Sequence, residues 1–167
     1  MNKTNSSWRC DETYLKIRGQ WKYLYRAVDS KGNTLVFLLS TKRDKKAALR
    51  FFKKVLGNRR VKLPRVISVD KHTSYPGALK LIKAENPLKQ IQLRQVKYLN
   101  NIIEADYRFV KRKARFKLWF QSFHSACYTV AGYEAMNMIL KDQISVVAAN
   151  DAQAQKNFIE NLLGIAV

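Results

Sequence analysis

Three strand-like stretches at the start of the chain constrain its fold more than any other feature. Residues 8–16, 21–28 and 34–40 are rich in apolar, aromatic and β-branched side chains, and short turns separate them. The second turn contains Gly32 and Asn33, two residue types that tolerate positive φ. Three consecutive strands joined in this way predict an antiparallel meander.

Helical and strand patterns follow in turn. A helix is predicted between Thr41 and Gly57, because Thr41 opens a capping-box-like sequence and Gly57 is a natural stop. The short runs 65–69 and 91–96 predict two more strands with a short helix between them, and the chain from 99 onward is mostly helical. This order predicts an α/β protein with a mixed five-stranded sheet flanked by helices.

The length and composition indicate a folded domain. The chain has 167 residues, 47% of them hydrophobic, which is enough for a buried core. We expect a core over residues 1–142 and a C-terminal loop and helix, 143–167, packed on it.

The charge is the unusual part of the composition. Thirty-two Lys and Arg residues against 12 Asp and Glu give a net charge of +20, which predicts a polyanionic partner and favours nucleic acid. No apolar run approaches the roughly 20 residues that a membrane span needs, and the N-terminus lacks the apolar segment of a signal peptide. Cys10 and Cys127 lack metal-binding spacing and indicate reduced thiols, so we expect a cytoplasmic protein without a membrane partner.

Three acidic residues stand out because they interrupt or end apolar patterns. Asp11 lies within the first strand, Asp70 follows the fourth, and Glu104 lies in a predicted helix. Two-metal phosphoryl transfer requires carboxylates that converge from distant positions, and Mg²⁺ prefers such oxygen ligands. Asp11 and Asp70 can share a metal only if the first and fourth strands are neighbours. Alternatively, the three acids are surface residues that balance charge.

The helix around Glu104 also carries a column of cations. Arg108, Lys111 and Arg115 lie four, seven and eleven residues after Glu104, on the same helical face. The residues predicted to contact DNA phosphates are Arg108, Lys111, Arg112, Lys113 and Arg115. A surface Glu104–Arg108 pair on a solvated basic face is the alternative.

Structural roles are predicted for Glu12 and for most of the aromatic residues. Glu12 lies on the opposite strand face from Asp11 and is expected to be solvated or paired. Trp8, Trp21 and Trp119 are expected mostly in the core, although an exposed Trp119 or Tyr107 could stack on an unpaired base.

Sequence blocks around the three acids resemble the DDE transposases of the bacterial insertion-sequence family six. The blocks are DETYLKIRG at 11–19, YLYRAVD at 23–29, VDK at 69–71 with YP at 75–76, and RQVKYLNNIIEADYR at 94–108. Lys111 matches the basic residue that follows the catalytic glutamate in this class, and the resemblance extends through 131–136.

This resemblance implies a ribonuclease-H-like catalytic core. It implies Asp11, Asp70 and Glu104 as the catalytic, metal-binding triad for Mg²⁺ or Mn²⁺, with two ions when DNA is bound. The implied reaction is cleavage at transposon ends and transfer of the 3′-OH ends into target DNA. We also expect a homo-oligomer in complex with DNA, associated with the bacterial nucleoid.

The chain departs from the family pattern in two places. A helix-turn-helix normally precedes the first aspartate, but only ten residues precede Asp11, so we expect that module to be absent. Val36 stands where the family usually has an acid. The alternative function is therefore a truncated, catalytically unproductive DNA-binding remnant that inhibits transposition.

Overall fold

A computed structural model describes seven parts of the chain: residues 5–58, 63–70, 74–85, 91–96, 120–141, 143 and 151–163. Within these parts the strands are β1 (Ser7–Ile17), β2 (Gln20–Asp29), β3 (Thr34–Ser40), β4 (Val66–Val69) and β5 (Gln92–Gln95). The helices are α1 (Lys45–Leu56), α2 (Ser74–Glu85), α3 (Phe123–Leu140) and α4 (Ala152–Leu163).

The first three strands form the predicted antiparallel meander. Residues 8–17 of β1 pair with the whole of β2, and β2 pairs with β3. Arg18 and Gly19 turn the chain between β1 and β2 with φ angles of 48° and 77°. Gly32 has a φ of 83° in the second turn, where a residue without a Cβ meets least strain.

The strand order places β1 at the centre of the sheet. The order is β3-β2-β1-β4-β5, and β1–β4 and β4–β5 are parallel pairs. The predicted adjacency of the first and fourth strands is therefore confirmed, as is the α/β, ribonuclease-H-like fold with a mixed five-stranded sheet.

Each face of the sheet has its own core. Trp8 and Cys10 of β1 lie in a cluster with Phe51 of α1 and Tyr75 of α2 on one face. Leu15 and its β1 neighbour Ile17 lie in a second cluster with Ala126 and Val130 of α3. Because strand side chains alternate between faces, even-numbered β1 residues lie on the face that α1 and α2 cover in part, and odd-numbered ones lie on the α3 face.

The helix caps correct one sequence prediction. Asp44, and not Thr41, caps α1: its side chain accepts a hydrogen bond of 2.8 Å from the backbone N–H of Ala47. Ser122 caps α3 and forms a reciprocal capping box with Ser125. An Asp directly before the first helical residue satisfies the free N–H groups better than a Thr three positions earlier can.

Two further findings concern the apolar residues. Trp8 is fully buried as predicted, whereas Trp21 is 59% exposed, so its assignment to the core was wrong. No described helix is long and apolar enough to cross a membrane. Glu104, Tyr107, Trp119 and the five predicted DNA-contacting cations lie outside the described residues.

Candidate active site

Asp11 and Asp70 occupy matching positions on the two central parallel strands. The last pair in the register of β1 and β4 is Cys10 with Val69. Asp11 directly follows Cys10 in the sequence, and Asp70 directly follows Val69. Neighbouring strands lie about 4.8 Å apart, so the two backbones bring these residues side by side. Both aspartates are half-buried and both have interactions within the structure.

The two carboxylates also share a face of the sheet. Asp11 lies four residues before Leu15, which packs against α3. Ile67 and Val69 face the opposite core, so continued alternation along β4 turns Asp70 toward the α3 face as well. The structure thus brings together two of the three predicted site residues, at the carboxyl end of β4, where α/β sheets place their sites.

The donor set fits a hard divalent cation. Carboxylate oxygens are the ligands that Mg²⁺ and Mn²⁺ prefer, and Mg²⁺ keeps several waters, so few protein ligands are enough. Among the described residues, no three His, Cys, Asp or Glu side chains come together as a metal-binding group. The third predicted ligand, Glu104, lies outside those residues.

Glu12 lies on the opposite face from Asp11, as predicted, and it is paired. Its carboxylate accepts hydrogen bonds from the guanidinium of Arg43 and from the hydroxyl of Tyr75. The carboxylate is buried, so the solvated alternative is excluded. Partial burial acts to lower the pKa of Arg43, but the charge and hydrogen bond of Glu12, together with Tyr14 and Tyr75, outweigh burial and the pKa of Arg43 is raised.

The Glu12–Tyr75 hydrogen bond connects β1 to the first turn of α2. Glu12 is the neighbour of Asp11 on β1, while Tyr75 is fully buried in the first turn of α2, five residues after Asp70. The Glu12–Tyr75 bond therefore ties the chain beyond Asp70 to the strand position beside Asp11. Sequence reasoning placed Glu12 on the correct face but gave no indication of partners so distant in sequence.

A second buried ion pair holds α3 against the face that carries Asp11. Arg26 lies opposite Asp11 in the β1–β2 register. Its guanidinium donates to Glu134 of α3 at 2.8 Å and to Thr34 at 3.1 Å, and both charged side chains are essentially inaccessible. The sequence signal for this pair was a lone arginine in the apolar stretch of β2, a position where a charge must be paired.

The family comparison covers most of the chain. The family model DDE_Tnp_IS240, described as a DDE domain, matches residues 5–143. The transposase for insertion sequence-like element IS431mec of Staphylococcus aureus is 40% identical over 141 residues, which are 83% of this chain and 60% of that protein. The transposase for insertion sequence element IS257 in transposon Tn4003 of the same species has the same identity and the same coverage of both chains. This chain therefore spans about 60% of the length of these relatives.

Solved structures agree on the fold. The HTLV-2 integrase catalytic core domain, in complex with magnesium in its trimeric form, superposes with a TM-score of 0.54 at 13% identity, over 99% of this chain and 89% of that one. The protein of the Mos1 strand transfer complex also gives 0.54 at 11% identity, over 78% of this chain and 47% of that one.

The matched blocks, the order of the strands and the paired aspartates agree with one another. The third block of the resemblance, around Glu104, lies within the matched range 5–143. The chain belongs to the DDE transposases of insertion-sequence family six and contains their ribonuclease-H-like domain.

Proposed function

We propose that this chain catalyses metal-dependent DNA strand cleavage and the transfer of 3′-OH ends into target DNA during insertion-sequence transposition. The observation that carries the proposal is the side-by-side placement of Asp11 and Asp70 on one face, where the parallel pairing of β1 and β4 ends. Carboxylates so placed can hold a divalent cation against a phosphodiester.

Asp11, Asp70 and Glu104 are the proposed ligands and catalytic residues. Bound Mg²⁺ or Mn²⁺, two ions when DNA is present, would activate the attacking oxygen and stabilise the leaving oxygen. Asp11 and Asp70 supply negative charge at a fixed position, because the strands that carry them lie in the centre of the sheet. The magnesium in the HTLV-2 integrase structure supports this assignment, because that protein shares the fold.

DNA is the proposed substrate, both as transposon end and as target. The net charge of +20 favours binding to phosphates. The proposed phosphate contacts are Arg108, Lys111, Arg112, Lys113 and Arg115. We further propose a homo-oligomer on DNA at the nucleoid, with residues 143–167 as a C-terminal unit beside the core. Gln143 exchanges hydrogen bonds of 2.9 and 3.2 Å with Thr34 of β3, which supports docking at that point.

Strand transfer with the full chain tests the proposal. A labelled oligonucleotide with a 3′-OH end and a supercoiled target are incubated with the protein and Mn²⁺. We expect Asp11→Asn, Asp70→Asn and Glu104→Gln each to lower joined product by at least about 100-fold, because mispositioned reacting groups cost that much. Glu160→Gln, which alters an exposed pair with Lys156 at 3.6 Å, should leave product unchanged. Equal product from all four variants would refute the proposal.

Lys111 separates positioning of the scissile phosphate from overall DNA binding. Lys111→Ala should lower strand transfer on the order of 100-fold while weakening DNA binding only slightly. One lost phosphate contact reduces the salt slope of binding by about one unit. The matched control is Lys80→Ala, because Lys80 is exposed on α2. Equally mild effects of both substitutions on transfer would exclude the role of Lys111.

A further inference from the structure

The β1–β2 hairpin carries an exposed aromatic surface. Trp21 is 59% exposed and Tyr14 is 45% exposed, and their rings meet edge to face with centroids 6.3 Å apart. Two cations lie against these rings: the Lys16 ammonium is 5.7 Å from the Trp21 ring, and the Arg43 guanidinium is 5.9 Å from the Tyr14 ring. Tyr14, Lys16, Trp21 and Arg43 are called the hairpin surface below.

This surface extends beyond the helix layer that covers the same face. Trp8 and Cys10, which precede Tyr14 and Lys16 on that face, are fully buried by α1 and α2. Two large rings held in water lose the burial that normally stabilises aromatic side chains. Exposed aromatic rings beside cations are the two features that surfaces binding single-stranded nucleic acid combine.

A basic groove adjoins the hairpin surface. It has a volume of about 560 Å³ and is lined by Thr41, Lys42, Asp44, Lys45, Lys46 and Arg50. Arg43, within the same segment, donates a 3.0 Å hydrogen bond to the hydroxyl of Tyr14 and so connects groove and rings. The lining has four cations and one carboxylate, that of Asp44, which also caps α1, so the groove presents mainly positive charge.

The two features together match one ligand, a DNA strand with unpaired bases. Phosphates are attracted by the four cations of the groove, while any base can stack on an exposed indole ring, since every base has a π-face. Paired bases are stacked on one another and cannot cover Trp21 in the same way.

We propose that the hairpin surface is a stacking site for unpaired DNA bases, with the adjacent basic groove holding the phosphates of the same strand. The identity of the partner as DNA rests on the proposed function, while the site itself is separate from the carboxylates. The site selects single-stranded DNA, such as the strand exposed next to a cleaved end.

The test uses the full chain without metal, so that it reports on binding and not on catalysis. Fluorescence anisotropy measures affinity for a 20-nucleotide thymidine oligomer and for an abasic oligomer of the same length and charge. The wild-type protein should prefer the thymidine oligomer on the order of tenfold, because stacking contributes that much per base. Trp21→Ala should remove the preference and leave abasic binding and its salt slope unchanged.

Two further variants serve as controls. Trp21→Phe retains a ring and should keep most of the preference. Tyr128→Ala removes another tyrosine, 68% exposed on α3 and in contact with His124 rather than with a cation, and should change nothing. Circular dichroism confirms that each variant is folded.

Three outcomes would overturn the proposal. The preference could survive in Trp21→Ala, or affinity for both oligomers could fall equally, which would indicate lost charge rather than lost stacking. Sedimentation could instead show that Trp21→Ala alters self-association while DNA affinity stays the same, which would assign the surface to a second copy of the chain. Because strand transfer is not measured, these failures are distinct from failure of the carboxylate variants.

Discussion

The hydroxyl of Tyr75 donates a hydrogen bond to the carboxylate of Glu12, and this contact joins the first turn of α2 to the strand residue beside Asp11. Asp70 lies five residues before Tyr75, so the bond joins the strand that carries Asp11 to the helix that follows Asp70 in the sequence. The contact is on the α1 and α2 face, while the aspartates are on the other. We therefore expect this contact to act on the site only by positioning the backbone that carries the aspartates.

Tyr75→Phe should weaken the positioning of Asp70 without removing any proposed metal ligand. The substitution leaves a buried carboxylate short of one donor, which costs about 1–3 kcal/mol of stability. We expect a higher Mn²⁺ concentration for half-maximal strand transfer, because Asp70 is less firmly held. The control is Tyr128→Phe, which alters an exposed hydroxyl. An unchanged Mn²⁺ dependence in Tyr75→Phe, measured with folded protein, would argue against a positioning role.

Removing one partner of the buried Arg26–Glu134 pair should destabilise the protein more than replacing both partners with apolar residues. Glu134→Ala leaves a buried guanidinium without its carboxylate, and such single losses destabilise proteins by about 3–5 kcal/mol. The double substitution Arg26→Met with Glu134→Leu should recover most of that loss, because no isolated charge remains. Urea unfolding of the two variants and the wild type gives both values. A double variant as unstable as Glu134→Ala would contradict the account.

The two cysteines should differ in reactivity. Cys10 is fully buried in the sheet, and burial, followed by the charges of Asp11 and Glu12, raises the pKa of its thiol. Cys127 is half-buried on α3, and burial raises its pKa with a smaller opposing effect from Lys54. Iodoacetamide followed by mass spectrometry should show Cys127 modified first and Cys10 protected until urea unfolds the chain. Early modification of Cys10 would mean that the core opens readily.

Much of the sheet could be predicted from local patterns. The meander and α1 follow from residue type and turn chemistry, and the position of Asp70 after a short apolar run suggested the end of a buried strand. The adjacency of β1 and β4 was required by the metal hypothesis, and the register of Cys10 with Val69 confirms it. The sequence block around Glu104 predicted the family, and the match over residues 5–143 confirms that prediction.

Contacts between distant elements were beyond the reach of these patterns. Nothing local indicates that Glu12 meets Tyr75, 63 positions away. Trp21 is expected in the core like Trp8, yet the hairpin extends past α1 and α2 and leaves the ring of Trp21 in solvent. Which part of a strand a helix covers is set by tertiary packing, so a strand pattern alone cannot separate Trp8 from Trp21.

The most direct test of the central claim is a change of metal preference in Asp70→Cys. A thiolate is a soft ligand that binds Mg²⁺ poorly and accepts Mn²⁺ more readily. If Asp70 contacts the metal, strand transfer by Asp70→Cys should be lost in Mg²⁺ and partly restored in Mn²⁺. The wild-type protein should be active with both ions. Activity of folded Asp70→Cys in Mg²⁺ that equals its activity in Mn²⁺, or that equals the wild-type activity, would contradict the assignment of Asp70 as a metal ligand.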